Sequence, residues 1–213
     1  MIIQWLGNAG FKIQTKSPAG DFVICMDPFS DSSGIKMSRF QADILTMSCN
    51  KELHNNAEAI KGEPFVIANP GEYETKGVFI YGVPAMISDA KGKKDRAALY
   101  KLISEDLSVA HLSAIGETLS DEQIEKLGNI DILLIPVGSN GSLDYKKASE
   151  IVSQVEPRVV IPMYYKTAGQ KTDLGGVEDF IKHCGLKSET TDKLKISRKD
   201  LQTEDTKLVI LSI

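Results

Sequence analysis

The chain lacks most of the features that would narrow a function from composition alone. Its 213 residues include only three cysteines, Cys25, Cys49 and Cys184, an odd number with no CxxC spacing. That pattern suggests neither a disulfide framework nor a zinc knuckle. Cys25 lies in the apolar run from Phe22 to Met26 and Cys184 closes a helix pattern, so both read as small core residues. Lys and Arg total 25 against 29 Asp and Glu, a net charge of −4, so the basic excess of a nucleic-acid or anionic-membrane surface is missing. The lysines are scattered; Lys91, Lys93 and Lys94 group beside Gly92 and Asp95 in what reads as a solvated loop. No apolar run is long enough to span a bilayer, and Met1 to Trp5 opens directly as a strand with no basic leader. The expectation is a cytoplasmic protein with neither a nucleic-acid nor a membrane partner.

What is present is an ordinary globular balance, 42% hydrophobic and 25% charged, in a length that suits one sizeable core. We expect a single domain over residues 1–213, with no linker or internal repeat. The first half is rich in short β-branched or aromatic runs separated by Gly, Pro, Asn and Ser: Met1 to Trp5, Phe11 to Thr15, Phe22 to Asp27, Ile44 to Met47, Phe65 to Ala68, Tyr73 to Tyr81, Ala98 to Ile103 and Leu107 to Leu112. The last two predict a hairpin through Ser104, Glu105 and Asp106. The second half alternates. Ser120-Asp-Glu-Gln123 is a capping-box signature for a helix that Gly128 closes. Asp131 to Val137 is a buried strand. Asp144 caps a helix whose apolar positions Ala148, Ile151, Val152 and Val155 repeat at helical spacing, and Arg158 to Pro162 follows as a strand. A further helix is expected from Asp173 to Cys184, and Lys207 to Ile213 returns as a final strand. Within the polar stretch from Asp192 to Thr206, Leu194 and Ile196 alternate as an edge strand would. This order argues two packed sheets covered by helices, a layered α/β (α+β) domain.

The segment from Ala42 to Asn56 carries the most information. An apolar strand, Ile44 to Met47, ends at the small Ser48, and a polar loop follows into Asn55, a candidate N-cap for a helix over Ala57, Ala59 and Ile60. This outline resembles the metal-binding loop of the metallo-β-lactamase superfamily, in which such a strand ends in His-X-His-X-Asp-His. On that motif Cys49 takes the first histidine position, Lys51 the second, Leu53 the aspartate and His54 the last histidine. The resemblance extends along the chain. Trp5-Leu-Gly-Asn-Ala-Gly-Phe11 is similar to Trp-X-Gly-His-(Ser/Ala)-X-Phe, with Asn8 for histidine. Met26-Asp-Pro-Phe29, Asn69-Pro-Gly-Glu-Tyr-Glu74, Asp131 to Gly138 and Val160-Ile-Pro-Met163 are similar to further family motifs. The fold this implies is the four-layer αββα sandwich.

The departures fall on metal-holding positions. A dinuclear zinc site needs neutral imidazoles, a bridging carboxylate and a bound hydroxide. The family histidine after Pro84 is missing from Pro84-Ala-Met-Ile-Ser88, the bridging aspartate is Ala114 in His111-Leu-Ser-Ala-Ile-Gly116, and the last histidine is Tyr164. Only His54 remains of the ligand set. The resemblance thus implies a Zn-dependent-hydrolase-like protein whose two-zinc site is degenerate, with no cofactor, and with a binding or structural role toward a small molecule or a protein partner. The alternative is a hydrolase with an atypical metal site or a Cys49/His54 nucleophile–base pair. The vestigial pocket comprises Asp27, Cys49, Lys51, His54, Asp144 and Tyr164. Asp27 should be held by amides or hydroxyls of the Ser48–His54 loop, with donors also from Asn8 and Tyr164. Lys51 should lie within reach of the pocket's acidic groups, and Leu53, Ile87 and Tyr164 should fill the space of the ions. Asp144 is in the first place a helix cap, His111 a hydrogen-bonded core residue, and His183 an exposed one.

Overall fold

The computed structural model describes residues 1–202 and 205–213, so Thr203 and Glu204 of the polar stretch lie outside the described residues. The chain opens with an antiparallel meander, β1 (Ile2–Gly7), β2 (Gly10–Ser17) and β3 (Gly20–Met26). Alternate residues of β1 point into the core, so Ile3 and Trp5 are buried while Ile2 and Gln4 are only partly covered. A short β4 (Phe40–Gln41) precedes β5 (Ile44–Thr46), which runs parallel to β3, and β6 (Ile60–Lys61) pairs with β4 before β7 (Phe65–Ile67) joins β5. The second sheet begins with β8 (Gly71–Thr75), β9 (Val78–Ser88), β10 (Lys94–Ser104) and β11 (Leu107–His111), all antiparallel neighbours. The β10–β11 hairpin turns at Glu105 and Asp106, both in the left-handed region, as a two-residue hairpin turn requires.

After α1 (Asp121–Leu127) the architecture becomes βαβ: β12 (Ile132–Pro136), α2 (Tyr145–Val155) and β13 (Val159–Met163), followed by α3 (Glu178–Cys184), β14 (Ser188–Thr191), β15 (Leu194–Lys195) and β16 (Lys207–Leu211). Strands β11, β12 and β13 are parallel and buried at every residue, which explains their unbroken apolar runs. The sheet orders are β15-β1-β2-β3-β5-β7 and β14-β16-β13-β12-β11-β10-β9-β8. Their inner faces share one core in which Phe11, Ile13 and Ile24 meet Tyr100, Leu102 and Val109. The Tyr100 hydroxyl crosses between the sheets, its one proton shared between the Met47 carbonyl at 3.2 Å and the Ile67 carbonyl at 3.4 Å. Outside the second sheet α1 packs on β9, α2 on β12 and α3 on α2. Outside the first sheet the cover is thinner: Phe29, Met37 and Ile60 pack on Cys25 and Leu45, carried by turns at Asp31–Ser33 and Ala57–Ala59 and by the β4–β6 ladder.

Two helix expectations are corrected. Ala57–Ala59 is a single 3₁₀ turn entered from Asn56 without a side-chain cap, because Ile60 leaves at once to pair with Phe40. The Asn55 amide that was to cap it donates instead to Asn50. The helix expected from Asp173 starts only at Glu178, because the backbone before it is tied to the site: Gly175 donates to the Gly138 carbonyl and accepts from Lys166.

Strands β3, β5, β11 and β13 end on the same side of the sandwich. Gly138, just after β12, lies against the Tyr164 backbone so closely that an added Cβ would overlap the Tyr164 carbonyl oxygen. Gly138→Ala should therefore cost about 1–3 kcal/mol through forced separation of the β12 and β13 ends. A fall in the urea midpoint at unchanged m-value checks this; an unchanged midpoint would refute the close approach.

Candidate functional site

The site is a buried polar network at these strand ends. Asp27, the first residue after β3, is 0% exposed and takes a positive φ of 46°, a conformation that Asp tolerates better than most residues. Its backbone amide donates to the Thr46 carbonyl at 2.9 Å, which pins the strand end. The Ser48 amide donates to Asp27 Oδ1 at 2.7 Å, and the Ser48 hydroxyl donates to Oδ2 at 2.5 Å. His54 Nδ1 lies 2.7 Å from the same Oδ2. Ser48 has one hydroxyl proton and Asp27 takes it, so Ser113 is the donor in the 2.6 Å contact between the two serine oxygens. The same logic puts a proton on His54 Nδ1, facing the carboxylate.

His111, at the end of β11, forms the second tier. Its Nε2–H donates to the Ala9 carbonyl at 2.8 Å, and its Nδ1 accepts from the Ser113 amide at 3.2 Å. Both nitrogens are engaged, which defines a neutral tautomer. Burial lowers the His111 pKa against a raising influence from Asp27. Burial acts to raise the Asp27 carboxyl, but the His54 and His111 imidazoles and the hydrogen bonds from His54 and Ser48 outweigh it, and its pKa ends below the ordinary value. Among the described residues outside glycine, Asn8, Asp27, Ser113 and Tyr164 all have positive φ, and all four surround this network. Tyr164 is the costliest of these, since a bulky side chain rarely adopts that conformation.

The structure brings together Asp27, His54 and, one layer out, Tyr164, whose ring stacks on His54 at 5.9 Å between centroids. Burial first, then the Cys49 and Asp27 groups, push the Tyr164 hydroxyl up to about 12. Cys49 is buried beside them, and burial followed by the Asp27 charge raises its thiol to about 12 despite a backbone hydrogen bond from Lys51. Such a thiol is protonated at neutral pH and is a poor nucleophile.

Other expectations are corrected. The Lys51 ammonium does not turn to Asp27; it pairs with the half-exposed Asp95 at 3.1 Å. The position beside Asp27 is filled by the His54 ring, whose Nδ1 lies 2.7 Å from Oδ2. Asp144 caps α2, accepting from the Lys146 and Lys147 amides at 2.9 Å each, and has no contact with the network. Asn8 does not donate to Asp27. Its Oδ1 accepts from Gln170 Nε2 at 2.7 Å, and its buried Nδ2 has no partner among the described residues. Ile87 is buried and Leu53 half-buried, whereas His183 is exposed against the Tyr145 ring. Sequence reasoning missed Ser113 and Gln170. The only signal for Ser113 is its place next to Ala114; nothing in the sequence marks Gln170.

The family described as Beta-lactamase superfamily domain matches residues 2–164. The chain belongs to that superfamily. A UPF0173 metal-dependent hydrolase of Pyrococcus abyssi is 33% identical over 117 residues, covering 52% of this chain and 51% of that protein, so the chain spans about half of that relative. A UPF0173 metal-dependent hydrolase of Thermococcus onnurineus is 26% identical over 78% of this chain and 84% of its own length. The crystal structure of a Thermotoga maritima protein assigned as a Zn-dependent hydrolase of the metallo-β-lactamase superfamily superposes with a TM-score of 0.80. It shares 30% identity and covers 99% of this chain and 97% of its own.

These relatives correct the expectation of no cofactor. Proteins this similar are named for metal dependence, so metal chemistry is a property of the family and missing ligand residues do not dispose of it. The donors of this network, as arranged, nonetheless do not fit a pair of zinc ions. Both Asp27 oxygens, both His111 nitrogens and His54 Nδ1 already have hydrogen-bond partners. Among the described residues no three His, Cys, Asp or Glu side chains converge as a metal-holding group. Among the described residues no helix is long and apolar enough to cross a membrane.

The network generates a stability prediction. Asp27→Asn removes the charge that His54 faces in a buried pair and should cost about 3–5 kcal/mol, whereas Ser48→Ala should cost about 1–3 kcal/mol. Equal small effects from both in chemical denaturation would refute the central role of Asp27. A second prediction concerns acid. His111 binds fewer protons folded than unfolded, so stability is complete above its ordinary value of 6.5 and declines as pH falls below it. Asp27, with a lowered folded pKa, contributes stability above 3.8 that is lost only as pH drops further. His111→Gln should flatten the first part of that acid slope and leave the second. An unaltered slope just below 6.5 would rule this out.

Proposed function

We propose that this chain is a non-hydrolytic member of its superfamily, in which the dinuclear zinc arrangement has given way to the Asp27–Ser48–His54 network and the protein acts by binding, with a small molecule as its target. The observation that carries this reading is the lack of convergent donors: among the described residues no three His, Cys, Asp or Glu side chains come together as a metal-holding group. Asp27 could orient His54 through Nδ1, but one imidazole beside a protonated Cys49 thiol does not complete a two-zinc centre. Cys49 at the first histidine position, Lys51 at the second, Ala114 and Tyr164 point the same way by residue type. The proposal concerns the two-zinc arrangement and turnover, and leaves a metal bound in another manner as an outcome of the test.

The test is hydrolysis of ester, lactone and phosphodiester substrates by the purified chain, as isolated, after chelation and after zinc addition. The expected result is no zinc-dependent turnover. Activity abolished by the chelator and restored by zinc would overturn the reading. Cys49→His with Lys51→His should gain no zinc-dependent turnover either, because Ala114 and Tyr164 leave the other half of the centre without ligands.

A second reading, a hydrolase with an atypical metal site or Cys49/His54 chemistry, is favoured by the names of the relatives. Its thiol version meets the raised Cys49 pKa and the engagement of His54 Nδ1 with Asp27. Loss of measured activity in Cys49→Ser with retained folding would favour it.

A further inference from the structure

Two residues along the chain from Ser113, a groove of about 390 Å³ opens between the ends of β9 and β10 and the segment leading into α1, lined among others by Pro84, Met86, Ser88, Lys94, Ile115 and Thr118. Its volume falls within the roughly 300–1,000 Å³ typical of small-molecule sites. Met86 is 49% exposed here, one of few large apolar side chains left so open. With Pro84 and Ile115 it makes an apolar floor. Lys94 has no hydrogen-bond or ion-pair partner among the described residues, although Glu117, the one carboxylate in the lining, feels its charge weakly. Glu117 is already bound to Lys147 at 2.7 Å. The side-chain hydroxyls of Ser88 and Thr118 likewise have no hydrogen-bond partner among the described residues.

The walls are held before any ligand arrives. Gln123 Nε2 donates to the Pro84 carbonyl at 2.9 Å, Ile87 bridges to Ile115, and Lys147 Nζ donates to the Gly116 carbonyl at 3.0 Å. The Leu143 amide donates to the Ile115 carbonyl at 2.7 Å. Gly116 packs so tightly on Gly141 that a Cβ there would come within 2.5 Å of its carbonyl oxygen. A preformed groove loses little to ordering on binding.

We propose that this groove binds a small amphipathic carboxylate, its apolar body on Pro84, Met86 and Ile115 and its anionic head at the Lys94 ammonium. The inference deepens, and rests on, the small-molecule binding reading above. The charge balance selects the class: one point cation without an ion-pair partner among the described residues suits a monoanion, and no arginine is among the lining residues to favour a phosphate dianion. The groove adjoins the Pro84–Ser88 and Ala114 segments, so the ligand lies beside the Asp27 network and not within it.

The test is titration of the full chain with octanoate, followed by methionine-methyl NMR, with octan-1-ol as the neutral comparator. The expected result is saturable binding that shifts the Met86 resonance, weakened about fivefold by Lys94→Ala or by the neutral comparator, and more by Lys94→Glu. Met86→Ser should weaken both ligands alike. Lys94 and Met86 are exposed, so these variants should keep the unfolding midpoint of the parent. Absence of saturation, an unmoved Met86 methyl, or equal affinity in Lys94→Glu would overturn the proposal. A chain that hydrolyses esters with zinc yet binds octanoate through Lys94 keeps the groove and loses the non-hydrolytic reading. A chain with neither turnover nor saturable binding keeps that reading and loses the groove.

Discussion

A carboxylate with no exposure to water is costly to bury unless both its oxygens accept hydrogen bonds from well-placed donors. Asp27 meets that requirement, and much of the surrounding chain is arranged to let it. The Ser48 amide must point back at the end of β3, so the loop after β5 turns there. His54 must return from six residues further on to place Nδ1 on the same oxygen, so the loop between them is closed. Ser113 must bring a hydroxyl across from the second sheet, which ties the two halves of the sandwich at the strand ends. Burial favours the neutral acid at Asp27, while four separate contributions favour the anion, and the anion wins because they act together in a low-dielectric interior.

The positive φ values at Asn8, Asp27, Ser113 and Tyr164 fit the same account. Each lies at a strand end where the backbone must change direction sharply, and each sets a polar group or ring toward the centre. Backbone strain of this kind persists only where surrounding contacts over-determine it. At Tyr164 those contacts include its amide bond to the Asn8 carbonyl at 2.9 Å and the close approach of Gly138. At these strand ends the fold holds a dense hydrogen-bonded cluster, with a groove beside it at the ends of β9 and β10.

Legibility differed between fold and site for a physical reason. Strand patterns, the β10–β11 hairpin, the Ser120 capping box and the Asp144 cap are local features, in which side chains within a few residues determine the backbone. The same local logic failed at Ala57–Ala59 and at Asp173, where pairing to β4 and hydrogen bonds to the Gly138 loop overrode helix signals. In the site, the polar character of the Ser48–His54 loop was visible, as was the need of Asp27 for donors. Which side chain would answer Asp27 was not visible, because Lys51 and His54 are both within chain reach and only three-dimensional direction separates them.

By itself, then, the sequence determined the layered α/β organisation, the kinship carried by its motifs and the residue types that stand where family ligands stand, because these follow from local periodicity and from residue identity. Tertiary structure alone decided that His54 and not Lys51 faces Asp27, that Ser113 and Gln170 enter the polar interior, and that Lys94 lines the groove of Pro84, Met86 and Ile115 without a hydrogen-bond or ion-pair partner among the described residues. Those outcomes depend on contacts between residues dozens of positions apart, whose directions are set by sheet packing and not by any neighbour in the chain.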